Sequence, residues 1–153
     1  MNDPLTAGDI CTRSVVVSDP SMEVVQAAQL MRQHHTGCVV VTEQPSAFDR
    51  VVAGILTDRD IAMGVVALDR TPHGMRVGDL MSKEVVTARE DDSILDLLAA
   101  MRRKGVRRVP VTTARGTLVG IVALDDVLEV LAQQMHAVAT AVGAAQKHDR
   151  LAD

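Results

Sequence analysis

The apolar residues of this chain follow two different spacings, and each spacing predicts one type of element. In the segments 24–31 and 94–101, apolar residues recur at steps of three and four. This is the period of an α-helix that buries one face. A short β-rich segment precedes each predicted helix, at 15–17 and 85–87, and an acidic, polar stretch lies between the two. Such a stretch favours a helix start, because carboxylates stabilise the positive end of a helix.

Two apolar runs follow each of these helices, and each pair of runs predicts two strands joined by a turn. The runs are 38–42 and 51–56 in the first half, and 109–112 and 118–122 in the second half. A further helix is then predicted to open near Asp60 in the first half and near Asp126 in the second. The predicted order is therefore β-α-β-β-α, twice, in an α/β chain of the α+β type.

The two halves are copies of one unit. Residues 8–42 match residues 78–112 at a displacement of 70, and residues 54–60 match residues 120–126 at a displacement of 66. The first copy therefore has four more residues, which fall within 43–50. Length differences between repeats belong in surface turns, so this segment is predicted to be a longer hairpin loop.

The repeat sets the expected domain boundaries. They are a first repeat at 8–66, a linker at 67–77, a second repeat at 78–136, and a C-terminal helix extension and tail at 137–153. One copy has about 60 residues and a single apolar sheet face, which is marginal for a fold of its own. We expect the two copies to pack around a pseudo-two-fold axis and to bury these faces together.

The last helix is predicted to continue beyond the repeat. Its apolar positions are Leu128, Leu131, Met135, Val138 and Val142. Packing or self-association is the expected use of this apolar stripe, and a homodimer follows from it. A docking helix for a different, regulated protein is the alternative. Residues 143–153 are predicted to be a polar, frayed end.

Composition narrows the classes of protein. The chain has 47% apolar residues and one aromatic residue, Phe48, so its core must be aliphatic. A net charge of −4 argues against binding DNA or RNA, which needs a basic surface. No stretch approaches the roughly 20 apolar residues of a membrane span, and Met1 opens no basic, apolar signal segment. We therefore expect a cytoplasmic protein without a membrane partner.

Other candidate chemistry is sparse. Cys11 and Cys38 lie in apolar surroundings without C-x-x-C or metal-ligand spacing, so reduced buried thiols are expected and a disulfide is the alternative. His34 and His35 are neighbours on a predicted helix and face about 100° apart, so no metal site is expected. The sequence has no nucleophile elbow, P-loop or zinc-type motif. No catalytic residues and no required cofactor are predicted.

The candidate binding feature is a turn that occurs twice. A strand ends at Thr57, and Asp60 follows three residues later, where a helix begins. A hydroxyl and a carboxylate therefore lie beside a helix N-terminus, whose free N–H groups attract phosphate. The second copy repeats the turn with Asp126 but has Ala123 in place of the threonine. Helix capping alone is the simpler explanation of these side chains.

The same residues and motifs resemble those of a known protein family. The doubled β-α-β-β-α pattern, the Val109-Pro110-Val111 strand and the Gly-Ile-Leu-Thr-x-x-Asp turn at 54–60 resemble a cystathionine-β-synthase (CBS) domain pair, or Bateman module. The resemblance covers roughly residues 8 to 136. It implies a non-catalytic regulatory module that binds an adenosine-containing ligand, such as AMP, ADP or ATP, in clefts between the two copies.

The resemblance also implies which residues bind. In such modules the aspartate of the turn holds the ribose hydroxyls, the threonine approaches the phosphate, and the other copy supplies its first strand and its Pro-Val strand. The implied stronger site is Thr57, Asp60, Thr87, Arg107, Arg108, Val109 and Pro110. The implied weaker site is Asp126, Ser18 and Val39, with Cys38 and Gly37 where the other site has arginines. Because Arg107 and Arg108 alternate at a strand entry, only one, Arg108, is expected to face the cleft.

The sequence thus predicts a homodimeric sensor with one competent nucleotide site and a second that is weaker or empty. A charged carboxylate acceptor and arginine forks meet only in the first site. The signal would be a change in the arrangement of the two copies. A ligand-free dimeric scaffold or protein-interaction module is the alternative.

Overall fold

The computed structural model describes residues 5–151 of the 153-residue chain. The elements of the first half are α1 (Ala7–Ile10), β1 (Val17–Ser18), α2 (Val24–Gln33), β2 (Cys38–Glu43), β3 (Val51–Thr57) and α3 (Asp58–Ile61), which continues as a π-helical segment (Ala62–Val66). The elements of the second half are α4 (Val77–Leu80), β4 (Ala88–Arg89), α5 (Ile94–Lys104), β5 (Arg108–Thr112), β6 (Leu118–Ala123) and α6 (Leu124–Leu151).

Each half has one three-stranded sheet, in the order β1-β2-β3 and β4-β5-β6. The first two strands of each sheet are parallel and the last two are antiparallel. Even the irregularities repeat, because β2 has a register shift at Val41/Thr42 and β5 has one at Val111/Thr112. The predicted doubled β-α-β-β-α fold with an extended last helix is confirmed.

The first strand of each half is shorter and later than the sequence predicts. Expected at 15–17 and 85–87, the strands lie instead at Val17–Ser18 and Ala88–Arg89. Only these two-residue segments pair along the neighbouring strand, opposite Val40–Val41 and Val111–Thr112. The valines at 15–16 and 85–86, just before these segments, line the space between the halves.

The two halves exchange their N-terminal helices. Ala7 and Ile10 of α1 pack in the core of the second half, against residues such as Val109. Reciprocally, Val77 and Leu80 of α4 pack in the core of the first half. Backbone hydrogen bonds fix both docked segments, Ala7 N to Asp92 O at 2.8 Å and Val77 N to Met22 O at 2.8 Å. The packing units therefore differ from the sequence repeats, and each core is completed by residues from the other half.

Two glycines allow the exchanged segments to approach the sheets. Gly54 lies in β3 and Gly120 lies in β6, at equivalent positions. A Cβ on Gly120 would lie 2.6 Å from Cys11 Sγ and 2.8 Å from the backbone oxygen of Thr12. A Cβ on Gly54 would lie 2.9 Å from the backbone oxygen of Ser82. Since real Cβ atoms do not approach a backbone oxygen so closely, any side chain there would push the segments apart.

The long helix α6 extends farther than predicted. Residues 143–151, expected to be frayed, are helical, and residues 152–153 lie outside the described part of the chain. The reason is local, since residues 144–147 (Ala-Ala-Gln-Lys) and Arg150 are of types with high helix propensity. The apolar side chains of the extension are exposed, with 74% of Met135 and 65% of Val138 accessible. Across residues 5–151 we find no helix whose length and apolar character would let it cross a membrane.

Candidate functional site

Two clefts lie between the halves, and residues of both halves line each of them. The first has a volume of about 570 Å³ and is bounded by the β3–α3 turn, including Thr57 and Asp60, and by Val106, Arg107 and Arg108 before and at the start of β5. The second has a volume of about 430 Å³ and contains Asp126 of the β6–α6 turn. The sequence repeat thus places the two turns in two related clefts.

The first cleft contains a complete capping box. Thr57 ends β3, and its backbone N–H donates to Asp60 Oδ2 at 2.9 Å. In return, the backbone N–H of Asp60 donates to Thr57 Oγ1 at 3.1 Å. These two bonds fix both side chains at the wall of the cleft. Because a carboxylate has two oxygens and about four acceptor sites, capping leaves Asp60 with capacity for further donors.

The second cleft has half of this arrangement. The backbone N–H of Ala123 donates to Asp126 Oδ2 at 2.8 Å, which matches the Thr57–Asp60 bond. The methyl side chain of Ala123 cannot accept the reciprocal bond. Asp126 therefore caps α6 without a hydroxyl beside it, and the second cleft has one polar group fewer at the turn.

Both arginines at the entry of β5 line the first cleft, although alternation predicted only one. The reason is that β5 begins at Arg108, so Arg107 precedes the strand and the two-residue alternation does not apply to it. Arg107 is exposed and lies 3.8 Å (Nη2 to Oδ1) from Asp125. Arg59 of α3 is a third guanidinium in this cleft. It was not predicted, because no motif distinguishes it from a solvated helix charge.

Other predicted residues of the first site lie elsewhere. Val109 and Pro110 are buried in β5, the central strand of its sheet, and they are not among the residues that line the cleft. Thr87 is exposed and precedes β4. Val85 and Val86 line the cleft instead, since the segment before the shortened β4 turns toward it.

Some of the residues predicted for the second site line the second cleft, and others do not. Asp126 and Cys38 line the cleft. Val39 lies in the core of the first half. Ser18 is buried in β1, and its hydroxyl has no hydrogen-bond partner within residues 5–151. His34, Thr36 and Ser14 line the second cleft without having been predicted. His34 does not share a helix with His35, because α2 ends at Gln33 and His35 has a φ of +51°.

The two clefts differ in charge. The first contains Arg59, Arg107 and Arg108 together with the carboxylates of Asp58, Asp60 and Glu84. The charged groups of the second are Arg108 and Asp126. The positive charge that could hold an anion is therefore concentrated in the first cleft.

Arg108 belongs to both clefts. A Cβ on Gly37 would lie 3.5 Å from Arg108 Nη2 and 3.0 Å from Asp58 Oδ2, so the guanidinium reaches across to the first half. The residue equivalent to Arg108 in the first half is Cys38, which also lines the second cleft. Burial raises the pKa of the Cys38 thiol, and the positive charge of Arg108 acts in the opposite direction. The two equivalent positions thus carry one cation and one thiol.

Metal ligands do not gather in either cleft. Within residues 5–151, no group of three or more His, Cys, Asp or Glu side chains is arranged to hold a metal ion. Both cysteines are free thiols, Cys38 buried and Cys11 half-buried. The groups available in the clefts are therefore hydrogen-bond donors and acceptors and charged side chains.

Comparisons with known proteins agree with this architecture. The family model described as CBS domain matches residues 7–66 and 77–133. The chain is 38% identical over 121 residues to the CBS domain-containing protein YhcV of Bacillus subtilis, which covers 77% of this chain and 79% of that protein. It is 33% identical over 126 residues to a protein of Methanopyrus kandleri, covering 82% of this chain but only 62% of that longer protein.

A solved structure extends the likeness to three dimensions. The crystal structure of CBSX2 in complex with AMP matches with a TM-score of 0.71 and 26% identity, over 86% of this chain and 98% of that one. The family matches cover both halves in tandem, and the fold, the internal repeat and the paired clefts follow the same division. The chain is a tandem CBS domain pair and belongs to the CBS domain family.

Proposed function

We propose that this chain is a non-catalytic sensor that binds an adenosine nucleotide, AMP, ADP or ATP, in the first cleft. The observation that carries the proposal is the meeting of Asp60 with Arg107 and Arg108 around one space of about 570 Å³. A carboxylate suits a ribose diol, and guanidinium groups suit a phosphate. The AMP complex of CBSX2, a structure of the same fold, supports this choice of ligand class.

The ribose would bind to the carboxylate of Asp60. Its Oδ2 already accepts from the backbone of Thr57, so the side chain is held in place before any ligand arrives. A fixed acceptor loses little freedom on binding, and this favours affinity. Two vicinal hydroxyls can donate to one carboxylate, and each bond to a charged acceptor contributes about 1.5–3 kcal/mol.

The phosphate would bind to Arg107 and Arg108. The Arg107 side chain is 76% exposed, so an incoming anion need not displace a buried partner to reach it. The apolar side chains of Val85, Val86 and Val106 also line the first cleft and would cover the base without aromatic stacking. The cleft would thus bind the ribose and phosphate through charged groups and the base through aliphatic contact.

Binding would signal because the first cleft is composite. Asp60 belongs to the first half, whereas Arg107 and Arg108 belong to the second. A ligand that contacts both halves favours the arrangement in which both sets of contacts are made, and this unequal affinity shifts the population of arrangements. The second cleft, with Ala123 and Cys38, would bind nucleotide more weakly.

The molecule would work as a homodimer held by α6. The exposed side chains of Leu128, Leu131, Met135, Val138 and Val142 recur at alternating steps of three and four, which is the a/d spacing of a coiled coil. Alanines at 132, 139 and 141 flank this stripe, and small flanking residues let two helices approach closely. The partner that fits this stripe is α6 of a second copy. In a two-fold symmetric dimer the same surface of both copies meets, and one apolar stripe can pack against another.

This stripe also favours a second function, a ligand-free scaffold. Thermal unfolding with a nucleotide panel distinguishes the two. A nucleotide that binds, added at one hundred times its dissociation constant, raises the free energy of unfolding by about 2.7 kcal/mol. For a chain of this size the melting temperature then rises by roughly 5–10 °C. The panel contains AMP, ADP and ATP. Guanosine monophosphate is the control for the base. No rise with any adenine nucleotide would contradict the sensor and favour the scaffold.

A further inference from the structure

We propose that the two clefts share Arg108, so that anionic ligands bound in them compete for one guanidinium and the clefts are negatively coupled. The inference rests on the proposed function, because it requires nucleotides to bind in the clefts. It adds a form of regulation, in which a ligand bound in the first cleft lowers the affinity of the second cleft for an anionic ligand.

The first step is the position of Arg108. It lines the first cleft, which also contains Asp60, and the second cleft, which also contains Asp126. It is the first residue of β5, at the end of that strand that faces the clefts. The guanidinium approaches Gly37 of the other half, so it lies in the partition that separates the two spaces.

The second step is the broken symmetry of the pair. In a perfect repeat, the position equivalent to Arg108 would provide a second guanidinium, and each cleft would have its own. The residue there is Cys38, and burial raises the pKa of its thiol, which keeps it uncharged at neutral pH. Two related clefts are therefore served by a single cation at the partition.

The third step is what remains in each cleft when Arg108 is engaged. The first cleft still has Arg59 and Arg107. The second has no other arginine or lysine within the part of the chain that the structure describes. A phosphate in the first cleft that draws Arg108 toward it thus removes the main attraction for an anion in the second.

The coupling should depend on ligand charge. Adenosine has the base and ribose of AMP but no phosphate, so two adenosine molecules have no reason to compete for a guanidinium. AMP in the first cleft should weaken AMP binding in the second by at least about fivefold, the lower end of ordinary coupling between sites.

The experiment is calorimetric titration of AMP and of adenosine into the wild-type chain and into an Asp60→Asn/Arg107→Gln double variant. The double variant removes two groups from the first cleft and retains Arg108, and Asp126→Asn added to it identifies the binding step of the second cleft. Arg59→Gln/Arg107→Gln is a second variant with the same purpose, for use if the first does not reach the unliganded melting temperature of the wild type.

We expect the variant to bind AMP in the second cleft at least about fivefold more tightly than the wild type binds its second AMP, and we expect no such difference with adenosine. Arg108→Gln, added to the wild type and to the double variant, should abolish the difference. One AMP bound by the wild type and one by the variant also supports coupling when Asp126→Asn, added to the variant, removes its binding step.

If the second cleft has the same AMP affinity in the wild type, where the first cleft is filled, and in the variant, where it is disabled, the proposal that the clefts share Arg108 is wrong. The proposed sensor function is not affected by that result. The shared arginine is likewise overturned if the wild type binds one AMP and the variant binds none. If neither AMP nor adenosine binds to the wild type, the proposed function fails together with this inference.

Discussion

Thr57 and Asp60 cap each other at the wall of the first cleft, through hydrogen bonds of 2.9 Å and 3.1 Å. The equivalent residues in the second cleft, Ala123 and Asp126, make only one such bond, at 2.8 Å. Helix capping and ligand binding are therefore not competing explanations of Asp60. The cap fixes the carboxylate that the proposed ligand would use.

The capping box predicts a stability difference without any ligand. Replacing Thr57 with alanine removes the hydroxyl that accepts from Asp60 N, and losing such a cap costs about 1 kcal/mol. For a chain of this length, the melting temperature should fall by roughly 2–4 °C. Ala123→Thr, which offers a hydroxyl at the equivalent position, should not lower it. An unchanged melting temperature for Thr57→Ala would show that the cap does not stabilise the turn.

Charge at position 60 should matter for binding more than for stability. Asp60→Asn keeps an oxygen that can accept from Thr57 N but removes the negative charge. We expect AMP affinity to fall by about 10- to 100-fold, the loss of a bond to a charged group, while the unliganded melting temperature changes little. The measurement is calorimetric titration.

Asp126→Asn is the matched control for that variant. It should leave the tighter AMP binding step unchanged, because Asp126 lies in the other cleft. If Asp126→Asn removes the tighter step and Asp60→Asn does not, the assignment of the stronger cleft is reversed.

The exchange of N-terminal helices can be tested at Gly120. Gly120→Ala places a methyl group against the backbone oxygen of Thr12, 2.8 Å away, and overpacking of this kind costs about 1–3 kcal/mol. The melting temperature should therefore fall. Gly143→Ala, in α6 with no atom within 4 Å of the added carbon, should raise it, because alanine favours a helix over glycine by about 1 kcal/mol. Equal effects of the two substitutions would contradict the close docking of residues 11–12.

Dimerisation through α6 should be sensitive to charge in the apolar stripe. Val138→Glu places a carboxylate in the proposed seam, and two copies would bring two such charges together, so sedimentation should show a monomer. Gln133→Glu, on the opposite side of the same helix, is the control and should remain a dimer. A dimer that survives Val138→Glu, or a monomeric wild type at micromolar concentration, would remove α6 from the interface.

Periodicity predicted the sheets and main helices because α2, α5 and the long strands bury one face or both, and burial leaves a regular pattern. The exchange of α1 and α4 left no such signal. Each of these helices has four residues, which is barely one turn, and a single turn is too short to show a period. Which core receives Ala7 or Val77 depends on contacts between the halves, and these are encoded only in three dimensions.

The sequence predicted the two turns of the candidate site but not all of the residues that the other half of the chain supplies to each cleft. Asp60 and Asp126 are marked by the repeat, and both line clefts. Val109 and Pro110 lie in β5 and are buried, and which elements cover the two faces of a strand is not written in its local sequence. Val85 and Val86 were predicted to be strand residues, and they line the cleft because β4 begins only at Ala88.

The central claim is that one cleft joins a carboxylate of the first half to guanidinium groups of the second around a nucleotide. A crystal structure of the chain grown with AMP tests it most directly. We predict AMP in the first cleft, with its ribose hydroxyls within hydrogen-bond distance of Asp60 and its phosphate on Arg107 or Arg108. AMP bound in another place, or with its phosphate away from both arginines, would contradict the account.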